Sequence, residues 1–158
     1  MTQIHLWPRA IAAWGLTLLL ASVSSADEWR LRLIDNKGID DPNNIGIARM
    51  TSFGEFLYLT TWNTESGGKL YRSRDGESWE RIGEPGMNGN AKNFCLTSLA
   101  WLAGQLYVGV WNQSEGGSMF RGHADAPNPV DIKWETITSD AFGNRRNWGF
   151  THIREFKG

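Results

Sequence analysis

The sequence predicts an all-β chain of four-stranded antiparallel modules, two of them complete, and three observations carry that expectation. An internal repeat runs at a fixed offset of 49 residues, each repeat holds four short segments of strand character between turn residues, and no stretch keeps helical periodicity. Composition agrees. The chain has 158 residues, 41% hydrophobic and 21% charged, which is too apolar for a disordered chain, and its net charge of -1 gives no polybasic footprint for nucleic acid.

Residues 1–26 read as a secretory signal peptide. Arg9 and the amino terminus supply positive charge, Ala10 to Ala21 is almost continuously apolar, and Ser24 and Ala26 place small residues before a cut at Asp27. The apolar run is well short of the roughly 20 residues that span a bilayer, so the cleaved product is not expected to cross a membrane. The expected location is secreted, either periplasmic or extracellular. The one cysteine, Cys95, can make neither an intramolecular disulfide nor a cysteine-based zinc site, and within Phe94-Cys95-Leu96 it reads as a buried, inert thiol. A disulfide-free exported domain fits a bacterial source.

After the leader, Trp29 to Ile34 (29–34) is an orphan fourth strand, because Trp29-Arg30 begins like Trp79-Glu80 and Trp134-Glu135. The first complete module (45–82) has strands at Ile45 to Phe53, Phe56 to Trp62, Lys69 to Arg74 and Trp79 to Ile82. The second (94–137) has them at Phe94 to Leu102, Gln105 to Trp111, Ser118 to Arg121 and Lys133 to Ile137. The register is ungapped from Asn44 over Asn93 to Arg72 over Arg121, with Leu57-Tyr58 on Leu106-Tyr107, Trp62-Asn63 on Trp111-Asn112 and Gly67-Gly68 on Gly116-Gly117. Gly54 or Gly104 turns the first hairpin, the glycine pair closes the next link, and Asp75-Gly76 closes the third, all chemistry that suits antiparallel hairpins. Asn147-Trp148-Gly149-Phe150 then opens a further module (148–158).

Four antiparallel strands at a period near 50 residues is the pattern of a β-propeller blade. The expected fold is therefore two complete blades plus partial blades at each end. Phe156-Lys157-Gly158 aligns with the step just before the Leu-Tyr strand, so the sequence reads as a fragment of a longer propeller. A blade cannot bury both faces alone, and the expected partners are the remaining blades of a longer chain or, by self-association, further copies.

The pattern resembles secreted bacterial β-propellers with Asp-box-like, or BNR-like, repeats, part of the sialidase-like propeller group. The likeness rests on the Leu-Tyr pairs, the glycine pairs and Ser73-Arg74-Asp75-Gly76-Glu77-Ser78-Trp79, which has one residue fewer between Asp75 and Trp79 than the Ser-x-Asp-x-Gly-x-Thr-Trp box; the second module replaces the element with Gly122 to Pro127. A kelch-type propeller fits less well, because several polar residues separate strand and glycine pair. The resemblance implies a structural role for Ser73, Asp75, Gly76 and Trp79. Sialidase-type hydrolysis would need an arginine triad, a tyrosine nucleophile with a glutamate partner, and an aspartate acid. No early Arg-Ile-Pro motif is present and Arg49 becomes Ser98 and then His152, so no residue is assigned a catalytic role. Arg72 and Arg121 recur and read as braces within their blades.

In a propeller the links that enter a blade and those after its second strand open on one face, where ligands bind. That face would carry Trp62, Asn63, Trp111 and Asn112 together with Asn44, Asn93 and Asn147. Amides beside flat aromatic rings suit sugar hydroxyls and C–H faces. The same asparagines also serve as ordinary turn residues that cap the start of each first strand. Asp40, Asp41 and Asn43 offer oxygens but lack calcium-loop spacing, so no metal site and no cofactor is expected. The expected function is a secreted recognition or scaffold module with a carbohydrate or protein ligand. The alternative is part of a sialidase-like glycoside hydrolase whose catalytic blades are absent.

Overall fold

The structure, a computed structural model, describes Leu33, residues 37–124, Ala126 and residues 131–156. The signal peptide, the orphan strand at 29–34 apart from Leu33, and the last two residues lie outside the described residues. Eight strands form in chain order: β1 (Gly46–Phe53), β2 (Phe56–Trp62), β3 (Leu70–Ser73), β4 (Glu80–Ile82), β5 (Cys95–Leu102), β6 (Gln105–Trp111), β7 (Ser118–Gly122) and β8 (Trp134–Thr138). No α-helix occurs among the described residues. Every strand stands within one residue or so of its expected limits.

All strand pairings are antiparallel. β1 to β4 form one meander and β5 to β8 a second, and a single rung, Trp62 against Cys95, joins them into one sheet. The repeat is carried into backbone detail. β1 shifts register between Ile47 and Arg49, and β5 does so between Leu96 and Ser98, the same two positions one repeat later. Such an inserted residue bends its strand and increases its twist, so both first strands leave their hairpins along similar paths.

The core lies between the meanders. Phe56, Tyr58, Leu70 and Ile82 from the first meet Leu96, Leu106, Val108, Val110 and Phe120 from the second. Alternation along β2 and β6 explains which side chains meet: Phe56 and Tyr58 point one way, while Leu106, Val108 and Val110 occupy the opposite parity of the equivalent strand and point back. Arg72 is buried in this interface. It pairs with Glu80, lies 4.4 Å over the Phe56 ring, and donates to the carbonyls of Ala124 (3.1 Å) and Ala126 (2.6 Å) in the second module. Tyr58 donates to Ala124 as well, at 3.0 Å. The bracing arginine therefore reaches across the joint as well as within its own meander. Cys95 is buried, and burial pushes its thiol up to about 11.

Residues 148–156 depart from expectation, since they form no ladder. In both modules the first strand pairs with the strand that follows it, and no strand follows Phe156 among the described residues. The start of this segment is nonetheless held in place. Asn112 N–H donates to the Trp148 carbonyl at 2.7 Å and Gly117 N–H to that of Asn147 at 2.9 Å; one repeat earlier Asn63 donates to Phe94 at 2.8 Å and Gly68 to Asn93 at 2.9 Å.

The glycine pair makes this joint possible. A Cβ on Gly67 (φ +95°) would lie 2.8 Å from the Gly86 nitrogen, and one on Gly116 (φ +93°) 3.0 Å from the Arg145 Cα. The second glycine of each pair is crowded from the other side, Gly68 by the Leu96 backbone at 3.0 Å and Gly117 by the Gly149 Cα at 2.7 Å. The sequence offered these residues as hairpin chemistry. Their structural use is close approach between neighbouring modules.

Candidate ligand-binding site

The links expected to form a binding face do converge. Each first strand is preceded by the same turn, closed by a backbone bond from Asn44 to Asp41 (3.0 Å), Asn93 to Asn90 (3.0 Å) and Asn147 to Asn144 (2.9 Å). In each, the first side chain accepts from the N–H two residues on: Asp41 from Asn43, Asn90 from Lys92, and Asn144 from Arg146. This is an Asx turn repeated three times.

Most of the expected ligand-binding amides are committed inside the fold. Asn63 and Asn112 are buried. The Asn63 Oδ1 accepts from the N–H groups of Glu65 and Ser66, while Nδ2 donates to Asn44 Oδ1 at 3.0 Å. Asn112 repeats this with Ser114, Glu115 and Asn93. Asn44 and Asn93 donate in turn to the carbonyls of Gly38 and Gly86. Buried polar groups must find partners, and these four find them in the links they tie together. Asn147 differs, because its side chain is exposed.

The two tryptophans meet through a residue that sequence reasoning did not single out. Phe94 stands between them, its ring centroid 6.2 Å from that of Trp62 and 6.3 Å from that of Trp111, in tilted contacts. The signal was present, since Phe94 occupies the position of Ile45 and Trp148 in the repeat. Trp62 is 44% exposed, so one ring at the end of the row is open to solvent. Among the described residues the buried Trp111 Nε1 meets no hydrogen-bond partner.

Above Phe94 lies a cleft of about 400 Å³ lined by Thr64, Ala91, Lys92, Phe94, Gln113 and Ser114. Its rim carries an ion pair, Lys92 to Glu115 at 2.7 Å, and Asn90 also donates to Glu115 at 2.8 Å. These bonds, that of Lys92 first, hold the Glu115 carboxyl down at about 2. The corresponding place in the first module has its carboxylate on the opposite link. Asp41 pairs with buried Lys69 and accepts from Asn63, which draws its carboxyl down to about 2. Asp40 accepts from Tyr71, whose hydroxyl is pushed well above the usual phenol range by burial and by that carboxylate. Among the described residues no group of three or more His, Cys, Asp or Glu side chains stands close enough to hold a metal ion.

Ser73, Asp75, Gly76 and Trp79 lie away from this face, on the link between β3 and β4. Asp75 Oδ1 accepts from the N–H groups of Ser78 (2.7 Å) and Glu77 (2.8 Å), Ser73 Oγ accepts from that of Gly76 (2.8 Å), and Gly76 takes φ +75°. Those backbone donors hold the Asp75 carboxyl far below the usual range. Ser73, Asp75 and Gly76 close a turn.

Comparison with protein-family models, with curated proteins and with solved structures gave no match.

Proposed function

We propose that the chain is a segment of a secreted β-propeller, two blades and parts of two more, and that it acts as a recognition module for carbohydrate through its aromatic row. The blade reading is supported by the joint at Asn63 and Phe94 being repeated at Asn112 and Trp148. Export follows from the leader read in the sequence.

The single observation that carries the binding reading is the row Trp62, Phe94 and Trp111 beside an open cleft. Aromatic faces take the C–H faces of sugars, and a few polar groups at the edge fix orientation. Gln113, Thr64 and Ser114 supply those groups, in place of the asparagines. The test is titration of the purified protein with neutral oligosaccharides, read by tryptophan fluorescence and calorimetry. Binding that falls at least about tenfold in Trp62→Ala, with the fold unchanged, supports the reading. Absence of binding to any glycan refutes it. Turnover of a fluorogenic glycoside, abolished by substitution of a carboxylate, would replace it with the hydrolase reading.

A further inference from the structure

A second cavity, of about 250 Å³, opens at the link between β3 and β4 and shares no lining residue with the cleft above Phe94. Phe56 and Trp79 give it aromatic walls, and Arg74, Asp75 and Glu80 bring charge of both signs. All of them belong to the first complete module. Their charges are met unevenly. Arg72 and Arg74 each hold a guanidinium carbon 4.4 Å from the centroid of the one Phe56 ring. Arg72 is buried against Glu80 and two backbone carbonyls, whereas Arg74 is 60% exposed and meets Glu55, itself 82% exposed, at 3.6 Å. The ring fixes where the Arg74 guanidinium stands, and so loose and solvated a pair holds it weakly. Asp75 is fixed as well, its Oδ1 accepting from the N–H groups of Glu77 at 2.8 Å and Ser78 at 2.7 Å, which keeps that carboxyl ionised. Glu80 accepts from Arg72 and still leaves its side chain 44% exposed. The second module keeps the juxtaposition and drops the chemistry. Gln105 and His123, the equivalents of Phe56 and Arg74, stand 3.2 Å apart, and Gly122 to Pro127 replaces the turn of Asp75. The fold of a module therefore does not require this set of charges.

We propose that this cavity binds a free α-amino acid with an apolar side chain, its carboxylate at Arg74, its ammonium at Asp75 and Glu80, and its side chain against Trp79 and Phe56. A simple anion would bind Arg74 but meet two carboxylates in the same small space. A simple cation would meet those carboxylates but also two guanidinium groups. A zwitterion satisfies both signs at once. Guanidinium takes a carboxylate through paired, charge-assisted hydrogen bonds, and the ammonium gains from carboxylates and aromatic faces together. Aromatic walls with a few polar groups that fix orientation suit a small ligand, and the cavity is of a size for one amino acid.

The probes are L-leucine, N-acetyl-L-leucine, which lacks the ammonium, and L-leucinamide, which lacks the carboxylate. Binding is read by calorimetry at about pH 6, where the leucinamide amine keeps its charge. The wild-type protein is expected to bind leucine at least about tenfold tighter than either derivative. In Arg74→Gln leucine should fall to the affinity of leucinamide, while leucinamide binding stays as it was. Lys92→Gln, at the other cavity, should change none of the three. Equal binding of leucine and N-acetyl-leucine by the wild type would show a plain anion site and overturn the proposal. Equal binding of leucine and leucinamide would show a plain cation site and do the same. Absence of leucine binding at millimolar concentration, or a leucine preference that survives in Arg74→Gln, also overturns it. Circular dichroism checks that Arg74→Gln keeps its fold, and the comparison of the three probes on the wild type decides the matter without that variant. None of these outcomes bears on the aromatic row, whose own test is Trp62→Ala.

Discussion

Asn112 Nδ2 lies 2.9 Å from Asn93 Oδ1, and one repeat earlier Asn63 Nδ2 lies 3.0 Å from Asn44 Oδ1. Each pair ties the link after a second strand to the turn that opens a first strand. The second amide of each pair uses its oxygen to close its own loop, so one side chain satisfies three groups that have little access to water. Asn112→Ala would strip partners from the N–H groups of Ser114 and Glu115 and from the Asn93 oxygen. The expected cost is about 2 kcal/mol. Asn112→Asp keeps the acceptor but loses the donor and sets a charge beside Glu115, so it should restore only part of the loss. Urea denaturation midpoints of the two variants check this order.

The glycines divide into two kinds, and substitution should separate them. Gly54 has φ +55° with nothing within 4 Å of an added Cβ, so Gly54→Ala meets only the left-handed backbone penalty, about 1 kcal/mol. Gly67→Ala meets that penalty and a backbone nitrogen at 2.8 Å, and neither Gly86 nor the Asn90 carbonyl at 3.2 Å is a flexible side-chain end. A loss at least twice that of Gly54→Ala is expected, with Gly116→Ala behaving likewise. Thermal unfolding of the three variants is the measurement, and equal losses would show that the joint between modules is loose.

How much of this was legible in the sequence depends on the kind of interaction. Strand positions were, because alternation and turn residues are local properties and the 49-residue repeat checks each against its copy. Whether an asparagine faces solvent or ties two links is decided by residues far along the chain, so Asn63 and Asn147 look alike in sequence and differ in the fold. Phe94 was hidden for a related reason: an aromatic residue at a strand start reads as core until its neighbours are known. Burial of Lys69 left no local sign either, since its partner Asp41 stands 28 residues earlier. Residues 148–156 form no ladder, and among the described residues no strand follows them to pair with.

Acid should act on the first module through Asp41. Its carboxyl is lowered from an ordinary value of 3.8 to about 2, chiefly by Lys69 and the Asn43 N–H. A depressed carboxyl stabilises the fold fully above its unfolded value and loses that contribution as pH falls through the folded one, here from about pH 4 to about pH 2. Glu115 titrates in the same window, so the informative quantity is the difference between wild type and Asp41→Asn. At neutral pH the variant should be less stable by about 3 kcal/mol, because Lys69 stays buried without its counter-charge. Between pH 4 and pH 2 its stability should fall less steeply than that of the wild type. Urea titrations across that range test both statements.

Arg72 and Arg121 hold the same repeat position and pair with the same fourth-strand glutamate, Glu80 or Glu135, yet their side chains are 1% and 36% exposed. The difference lies in what covers them. Arg72 is sealed by the second module and feeds two of its carbonyls, whereas Arg121 is met by Glu135 at 2.7 Å and by Tyr107, which raise its pKa. Arg72→Ala should therefore leave the carbonyls of Ala124 and Ala126 and part of Glu80 unpaired inside the joint, a loss of about 3 kcal/mol or more. Arg121→Ala removes a largely solvated pair and should cost far less than Arg72→Ala. Arg72→Lys restores charge but lacks the planar fork that reaches two carbonyls and a carboxylate together, so it should recover only a minor part. Chemical denaturation of the three variants reads the ordering directly, and an Arg121→Ala loss as large as that of Arg72→Ala would mean that the joint between modules contributes little to stability.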